Sequence, residues 1–272
     1  MNPNIFDISG NVIVITGGVG VLGSNMAKYL LSAGAKVALI DLNQEAIDLK
    51  VNSLKMISEQ VVGYAGSVLS KPDLENIKEA LLNKWGRIDA LINAAGGNMP
   101  GATIGEDQTI FDLEMDDFRK VSQLNLDGSV MPSLVFGKAM ADAGAGCIVN
   151  ISSMTATQAV TRVVGYSTSK AAIDIFTRWL ATELATKFGD KVRVNAIAPG
   201  FFIGNQNRRL LTNEDGSYTA RGNTIVANTP MKRFGEADEL NGTIHWLLSG
   251  AASFVTGAII PIDGGFSAFS GV

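Results

Sequence analysis

The stretch that decides the fold is NVIVITGGVGVLG, residues 11–23. Residues 11–16 form a short run of β-branched apolar side chains, which is typical of a strand covered on both faces. Four glycines then fall within residues 17–23, and helical spacing of apolar residues begins at Leu22. A strand, a glycine-rich turn and a helix in direct succession predict the opening unit of a parallel α/β sheet.

The same alternation of strand and helix continues almost to the C-terminus. Short apolar runs predict strands at 11–16, 36–40, 60–64, 88–93, 146–152, 192–197 and 258–262. Segments with helical spacing predict helices at 22–33, 44–58, 72–85, 115–142, 163–188 and 236–249. The predicted fold class is therefore α/β, a Rossmann-type doubly wound parallel sheet of about seven strands with helices on both faces.

The chain is predicted to be one domain that covers residues 1–272. The chain has 272 residues, which is longer than a typical domain with one hydrophobic core but shorter than two such domains. With 46% hydrophobic and 18% charged residues it can bury a large core, which excludes disorder. Region 198–235 contains two prolines and four arginines and is too long for an ordinary connection. We interpret it as a lid over a functional site; the alternative is a plain surface excursion.

Charge and composition exclude several classes of partner. The 22 basic and 26 acidic residues give a net charge of −4, and the scattered basic residues argue against a nucleic-acid partner. A single cysteine, Cys147, and a single histidine, His245, leave no ligand set for a structural zinc, so no metal is expected. Residues 1–10 contain no Lys or Arg, and no apolar stretch reaches about 18 residues. We therefore expect a cytoplasmic protein without a membrane span.

The glycine turn has the spacing of a dinucleotide site. Gly18, Gly20 and Gly23 match G-x-G-x-x-G, which lets the backbone approach a pyrophosphate at the positive end of a helix dipole. Asp41 ends the second predicted strand, where a carboxylate accepts hydrogen bonds from the ribose hydroxyls and repels a 2′-phosphate. Leu42 offers no positive charge to hold such a phosphate. These residues predict NAD(H) as the cofactor; the alternative is a solvated aspartate behind a merely tight turn.

The strongest catalytic signal is Tyr166-Ser167-Thr168-Ser169-Lys170, at the start of a predicted helix. Residues i and i+4 share one side of a helix, so the phenol and the ammonium lie together. Bringing a phenol from a pKa of about 10 to about 7 requires roughly 4 kcal/mol, which an ammonium and an oxidised nicotinamide ring can supply. Tyr166 is therefore a candidate acid and base. The strand that ends in Ser152-Ser153 supplies a hydroxyl for a substrate oxygen.

Together these motifs resemble the short-chain dehydrogenase/reductase family along essentially the whole chain. Further matching segments are Asn93-Ala94-Ala95-Gly96, Asn125, Pro199-Gly200 and Asp263-Gly264-Gly265. The resemblance implies a catalytic tetrad of Asn125, Ser153, Tyr166 and Lys170. Ser153 is preferred to Ser152 because the family's serine lies 13 residues before its tyrosine. In such enzymes Lys170 would also bind the nicotinamide ribose, Asn125 would help to hold a water for proton relay, and four copies would form a homotetramer.

The resemblance also implies which residues surround the cofactor. They are Gly17, Gly18, Gly20, Val21, Leu22, Gly23, Asp41, Leu42, Ser67, Val68, Asn93, Ala94, Gly96, Tyr166, Lys170, Pro199, Gly200 and Phe202. Three positions depart from the family pattern: Val21 replaces a glycine, Ser67-Val68 replaces an aspartate that contacts adenine, and Gly204 replaces a threonine after Pro-Gly. We expect a reshaped pyrophosphate turn, a weaker adenine contact and a changed grip on the nicotinamide amide.

The predicted substrate region is polar, which favours a small polar carbonyl compound or alcohol. Arginine binds carboxylate in a fork and amides bind hydroxyls, so a sugar acid would suit it. Alternatively, the arginines are solvated or bind a neighbouring subunit. The candidate substrate residues are Asn98, Gln158, Arg162, Gln206 and Arg208.

Details of three segments are similar to the branch described as D-mannonate oxidoreductase, or fructuronate reductase: 94–103, 198–202 with 205–208, and 229–231 with 233–235. This resemblance implies hydride transfer at D-fructuronate. The alternatives are a gluconate 5-dehydrogenase-like or other polyol dehydrogenase, a 3-oxoacyl reductase, and a catalytically silent NAD-sensing regulator.

Overall fold

A computed structural model describes residues 4–204 and 207–271. Within these ranges seven parallel strands form one sheet in the order β3-β2-β1-β4-β5-β6-β7. The strands are β1 (Val12–Thr16), β2 (Lys36–Asp41), β3 (Val61–Ala65), β4 (Ala90–Asn93), β5 (Gly146–Ile151), β6 (Val192–Pro199) and β7 (Ile259–Ile262). The predicted Rossmann-type sheet is confirmed, and each predicted strand is present with its ends moved by two residues at most.

The helices fill the intervals between the strands. They are α1 (Val21–Ser32), α2 (Gln44–Lys55), α3 (Lys71–Trp85), α4 (Met115–Ser122), α5 (Gly128–Ala143), α6 (Val164–Phe188), α7 (Arg208–Leu211), α8 (Ala220–Asn228) and α9 (Asn241–Leu248). Region 198–235, predicted as an irregular lid, therefore contains two short helices, α7 and α8. In the described part of the chain, none of these helices has both the length and the apolarity needed to cross a bilayer.

The sequence predicts one continuous helix over 115–142, and this prediction is wrong. The structure divides it into α4, a π-helical turn over Gln123–Asp127, and α5. Asn125 lies in this turn, and its side-chain amide donates a 2.8 Å hydrogen bond to the carbonyl oxygen of Val121. Because a side chain engages that carbonyl, the turn around it widens. A π-helical turn often marks a functional site, and this one carries a predicted catalytic residue.

The sheet is covered on both faces, as its uninterrupted apolar strands predict. One buried cluster on one face includes Ile13, Leu39 and Ile92, and a second on the other face includes Val14, Ile40 and Leu91. Alternate residues of the same strands thus pack into the two opposite hydrophobic clusters. This double core holds the strand ends rigidly, and the candidate site lies at those ends.

The carboxyl ends of the central strands meet at one edge. Thr16 of β1 pairs with Asn93 of β4, and Asn93 is in register with Asn150 of β5. β1 lies between β2 and β4, so the connections leave on opposite sides at this point. Such a switch in strand order opens a crevice in which ligands of α/β proteins bind.

Candidate active site

The glycine turn between β1 and α1 is built for close backbone approach. Gly17 has φ +64°, and a Cβ atom there would lie 2.8 Å from the Cα of Ala95. A Cβ atom at Gly23 would overlap the carbonyl oxygen of Gly17. Only glycine therefore fits at these two positions.

The first turn of α1 presents its backbone amides without competition. Gly20 is the N-cap residue, and among the described residues no side chain caps this helix and its first turn has no acidic residue. The amides of Val21, Leu22 and Gly23 are therefore donors suited to an anion. Val21 is 36% exposed, so its side chain leaves the turn open despite replacing a glycine. The turn fits the pyrophosphate of a dinucleotide.

Asp41 ends β2 beside this turn. Its carboxylate accepts hydrogen bonds from the backbone amides of Val19, at 3.2 Å, and Leu42, at 2.9 Å. These bonds hold the carboxylate against the glycine turn, where the sugar next to a bound pyrophosphate would lie. Leu42 is 72% exposed and provides no charge. The arrangement suits a ribose with two hydroxyls better than one with a phosphate.

Ser67 and Val68 follow β3 near Asp41. Ser67 accepts a hydrogen bond from the amide of Leu69 through its hydroxyl, and its own amide donates to the carboxylate of Asp73. Val68 is 8% exposed and contacts the position of Gly128. Their predicted contact with adenine stays a prediction.

The loop after β4 is fixed to the glycine turn. The hydroxyl of Thr16 accepts hydrogen bonds from the amides of Ala94, at 3.1 Å, and Ala95, at 3.2 Å. Asn93, predicted to contact the cofactor, directs its side-chain amide inward to Ser133 and Asn150. Its side chain ties the centre of the sheet together, so the cofactor contact predicted for Asn93 remains untested.

Gly96 joins this loop to the predicted catalytic residues. It has φ +152°, and a Cβ atom there would lie 2.7 Å from the side-chain oxygen of Asn125 and 3.6 Å from the ammonium of Lys170. Ala94 lies two residues earlier, next to the glycine turn. The segment 94–96 therefore links the predicted nucleotide and catalytic ends.

At the far side of the crevice the chain leaves β6. Gly200 packs so closely on the residue after β7 that a Cβ atom would lie 2.6 Å from the Cα of Asp263. Phe202 pairs by a backbone bridge with Gly235. These contacts anchor the first and last parts of the lid region to one another and to the sheet. Pro199, the last residue of β6, precedes them.

Tyr166 and Lys170 lie on the same side of α6. The ammonium of Lys170 is 5.4 Å from the centre of the Tyr166 ring. Lys170 is 4% exposed, and its ammonium donates a 2.7 Å hydrogen bond to the carbonyl oxygen of Ile151 at the end of β5. The helical spacing therefore produces the juxtaposition that the sequence predicts.

The pKa of the Tyr166 phenol differs in direction from what the sequence predicts. Burial raises the pKa of the Tyr166 phenol, and its hydrogen bond with Ser153 acts in the opposite direction. Burial lowers the pKa of Lys170 to about 8, and the charge of Asp174 opposes that change. In the chain alone the phenol is therefore protonated at neutral pH, because desolvation outweighs the hydrogen bond. A phenolate would need additional positive charge in the crevice.

Two serines end β5 and have different partners. Ser153 is 6% exposed and lies beside the Tyr166 phenol, whereas Ser152 bonds to the carboxylate of Asp174. Asp174 lies one helical turn after Lys170, and burial raises its pKa. Sequence reasoning missed Asp174, although its spacing from Lys170 places both on one side of the helix. The contact selects Ser153 as the serine beside the phenol.

Asn125 lies at the back of the crevice and is fully buried. Its side-chain amide donates to the carbonyl oxygen of Gly97 at 2.8 Å, and its oxygen accepts from the amide of Gly97 at 3.0 Å. The side chain therefore holds the loop after β4 in place. The predicted contact with a relay water stays a prediction.

The predicted substrate residues are distributed over three loops. Asn98 donates to Thr103 at 2.6 Å, and its side-chain oxygen is buried without a partner among the described residues. Gln158 donates to the carbonyl oxygen of Ser267, Arg162 bonds to Ile104, and Arg208 is exposed. Gln206 lies outside the described residues. Asn98 and Arg162 are thus the partly buried members of the set.

We expect the buried ammonium of Lys170 to leave a signature in stability. Because burial lowers its pKa from 10.5 to about 8, the folded chain binds fewer protons than the unfolded chain between these pH values. The free energy of unfolding, relative to that of Lys170→Met, should therefore rise with pH from about 8 to 10.5, by on the order of 3 kcal/mol. Urea unfolding of both proteins across this range measures it.

An exposed lysine provides the control for this titration. Lys191 is exposed, so the difference between the wild type and Lys191→Met should not vary across the same pH range. Tyr166 and Asp174 remain in every protein compared. If the difference in the free energy of unfolding between the wild type and Lys170→Met also did not vary with pH, the conclusion that the Lys170 ammonium is desolvated would be wrong.

Comparison with known proteins places the chain in a family. The family model described as enoyl-(acyl carrier protein) reductase matches residues 18–267. An uncharacterized oxidoreductase of Bacillus subtilis (strain 168), UxuB, is 43% identical over 281 residues, which is 100% of both chains. D-threitol dehydrogenase of Mycolicibacterium smegmatis is 30% identical, covering 96% of this chain and 95% of the relative.

A solved structure shares both the sequence pattern and the architecture. It is a Haemophilus influenzae protein with bound NAD, provisionally described as a D-mannonate oxidoreductase, with 41% identity and a TM-score of 0.90. The match covers 99% of this chain and 100% of that chain. With a family model spanning most of its length and relatives matched end to end, this chain belongs to the short-chain dehydrogenase/reductase family of oxidoreductases.

Proposed function

We propose that the protein is an NAD-dependent oxidoreductase that transfers hydride between the nicotinamide and a carbonyl or secondary alcohol of a small sugar acid, such as D-fructuronate and D-mannonate. The observation that carries the redox assignment is the placement of Tyr166 beside Ser153 and Lys170, at the same sheet edge as the glycine turn. One crevice thus brings a proton donor next to a dinucleotide site.

The residues divide the proton chemistry between them. When bound, the nicotinamide supplies or accepts the hydride. In reduction, Tyr166 donates its phenolic proton to the carbonyl oxygen of the substrate, and the Ser153 hydroxyl holds that oxygen. Lys170 stabilises the resulting phenolate by its positive charge. The raised pKa of Tyr166 keeps the phenol protonated at neutral pH, which suits the reducing direction.

The choice of NAD rests on Asp41. Its carboxylate lies against the glycine turn, where it would accept hydrogen bonds from ribose hydroxyls and repel a 2′-phosphate. The exposed Leu42 beside it adds no positive charge. The NAD-bound structural relative supports this choice.

The choice of a sugar acid rests on the polar loops around the crevice. Asn98 has a buried side-chain oxygen that no described residue satisfies, so a substrate hydroxyl would be a suitable donor. Arg162 supplies positive charge close to the start of α6. The provisional description of the structural relative is consistent with this class. A gluconate 5-dehydrogenase or other polyol dehydrogenase is the alternative within it.

We also propose a cytoplasmic homotetramer. Three large apolar side chains on the outer faces of α5 and α6 are exposed by about 60%: Leu134, Ile175 and Trp179. Apolar side chains grouped in this way favour contact with another copy of the chain.

A substrate panel tests the proposal. We expect reduction of D-fructuronate with NADH to exceed that of a β-keto thioester by at least about tenfold in kcat/KM, since the thioester lacks the carboxylate and a fork-like carboxylate contact contributes about 1.5–3 kcal/mol. A keto-gluconate also carries a carboxylate, so its rate relative to that of D-fructuronate separates the two sugar-acid assignments. Cofactor absorbance measures each rate. Exclusive use of the thioester would refute the sugar-acid assignment, and a larger rate with the keto-gluconate would favour the alternative.

A further inference from the structure

Two arginines and a glutamate from three separate segments meet beside the candidate active site. Glu106 lies between β4 and α4, Arg162 lies between β5 and α6, and Arg221 belongs to α8. These segments follow the carboxyl ends of β4, β5 and β6, the edge at which ligands bind in such sheets. The group therefore lies at the edge of the sheet that carries the candidate site, with Arg162 four residues along the chain from Tyr166.

The backbone at Arg162 is held in an unusual conformation. Its φ is +79°, in the left-handed region that side chains other than glycine rarely adopt. Ile104 fixes it in two ways: the Arg162 Nε donates to the Ile104 carbonyl at 2.8 Å, and the Ile104 amide donates to the Arg162 carbonyl at 3.0 Å. Strain that surrounding contacts maintain is frequent at ligand sites. Here the unusual backbone conformation and the two bonds to Ile104 hold the Arg162 guanidinium in one position.

Arg221 approaches the same place from the lid. Its two terminal nitrogens donate to the hydroxyl and carbonyl of Thr161, each at 3.3 Å. Burial lowers the pKa of Arg221, the positive charge of Arg162 lowers it further, and Glu106 opposes both. Hydrogen bonds of this length are weak. The positive charge of the half-buried Arg221 guanidinium lies next to that of Arg162. It is therefore little compensated by negative charge nearby.

The charges of the group do not balance. Among residues 4–204 and 207–271, Glu106 is the one carboxylate in ion-pair contact with either arginine; it lies 3.3 Å from Arg162, and its side chain is 85% exposed. Arg233, also in the lid region, contrasts with them, since both its terminal nitrogens bond to Glu239 at 2.6–2.7 Å. One further carboxylate would neutralise the Arg162–Arg221 pair.

We propose that Arg162 and Arg221 form the subsite that binds the carboxylate of the sugar acid, with Glu106 as the ion-pair partner of Arg162. This inference rests on the proposed function and assigns its selectivity for acids to a residue of the lid. Two guanidinium groups offer up to ten N–H donors, enough to hold a carboxylate in a fork while keeping their present contacts. Binding of the substrate would thereby attach α8 to the loop before α6.

Binding of D-mannonate and of its neutral counterpart D-mannitol tests the subsite. The titrations use calorimetry with NADH present, in the Tyr166→Phe background, so that turnover does not interfere. We expect Arg221→Gln to weaken D-mannonate binding by about 10- to 100-fold and to leave D-mannitol binding unchanged, because only the acid loses a charge-assisted bond. Arg221→Lys should fall between, since a lysine retains the charge without the fork.

Glu106→Gln gives a prediction of opposite sign. Removing its charge leaves two uncompensated arginines, so D-mannonate should bind several-fold more tightly. Arg209→Gln is the matched control, because Arg209 is an exposed arginine of the same lid region that is not among the candidate substrate residues, and it should have no effect. Thermal unfolding of each variant verifies that it is folded.

The outcomes separate this inference from the proposed function. If the wild type reduces D-fructuronate much faster than its neutral counterpart D-fructose, yet Arg221→Gln retains that preference, the subsite is wrong and the function stands. Equal losses for acid and neutral ligands in Arg221→Gln also overturn the subsite. A wild type that prefers D-fructose to D-fructuronate overturns both.

Discussion

Tyr166→Phe should lower kcat/KM for carbonyl reduction by about 10²- to 10⁴-fold, the usual contribution of a positioned acid or base. The phenylalanine ring keeps the packing on Lys170 and removes only the hydroxyl that bonds to Ser153. NADH binding, followed by fluorescence titration, should remain within a small factor of the wild type. Loss of turnover with retained cofactor binding would assign the proton transfer to this phenol.

A second tyrosine provides the control for this result. Burial raises the pKa of Tyr64 as it does that of Tyr166, but Tyr64 lies on β3, away from Ser153 and Lys170. Tyr64→Phe removes the same atom from a partly buried ring of the sheet and should leave kcat/KM unchanged. If the wild type and Tyr166→Phe oxidised NADH equally with every substrate of the panel, a cofactor-sensing regulator would become the better interpretation.

The local features of the site were predictable from the sequence. A spacing of four residues on a helix is enough to place Lys170 beside Tyr166, because the helical period determines which residues share a side. The glycine turn was equally predictable from the sequence, because Gly17 and Gly23 mark positions where a side chain would collide with the backbone. Apolar β-branched runs identified the strands because both faces of a parallel sheet are buried.

Features that depend on tertiary contacts were not predictable in this way. The π-helical turn arises from a bond between the Asn125 side chain and a carbonyl of its own helix, in a segment whose apolar spacing continues without interruption. Glu106, Arg162 and Arg221 are distant in sequence and meet only through three loops of the sheet edge. The pKa of Tyr166 depends on how completely the phenol is desolvated, which the motif alone does not reveal.

The cofactor preference should be reversible at two positions. The wild type should use NADH in preference to NADPH, because the Asp41 carboxylate would repel a 2′-phosphate. Asp41→Asn keeps an oxygen that accepts the bond from the Val19 amide but removes the charge. Leu42→Arg then places a guanidinium at a 72% exposed position beside it, where it would bind the phosphate. The double variant should therefore favour NADPH.

The expected size of the reversal follows from the bonds exchanged. Losing charge-assisted bonds to the ribose costs about 1.5–3 kcal/mol, and gaining an arginine–phosphate contact contributes about the same, so the ratio of kcat/KM values for NADH and NADPH should change by about 10²- to 10⁴-fold. Asp48→Asn is the control: it removes a carboxylate from the exposed surface of α2 and should leave the ratio unchanged. A wild type that already prefers NADPH would refute the role of Asp41, whereas an unaltered ratio in the double variant would mean that the adenosine ribose lies elsewhere.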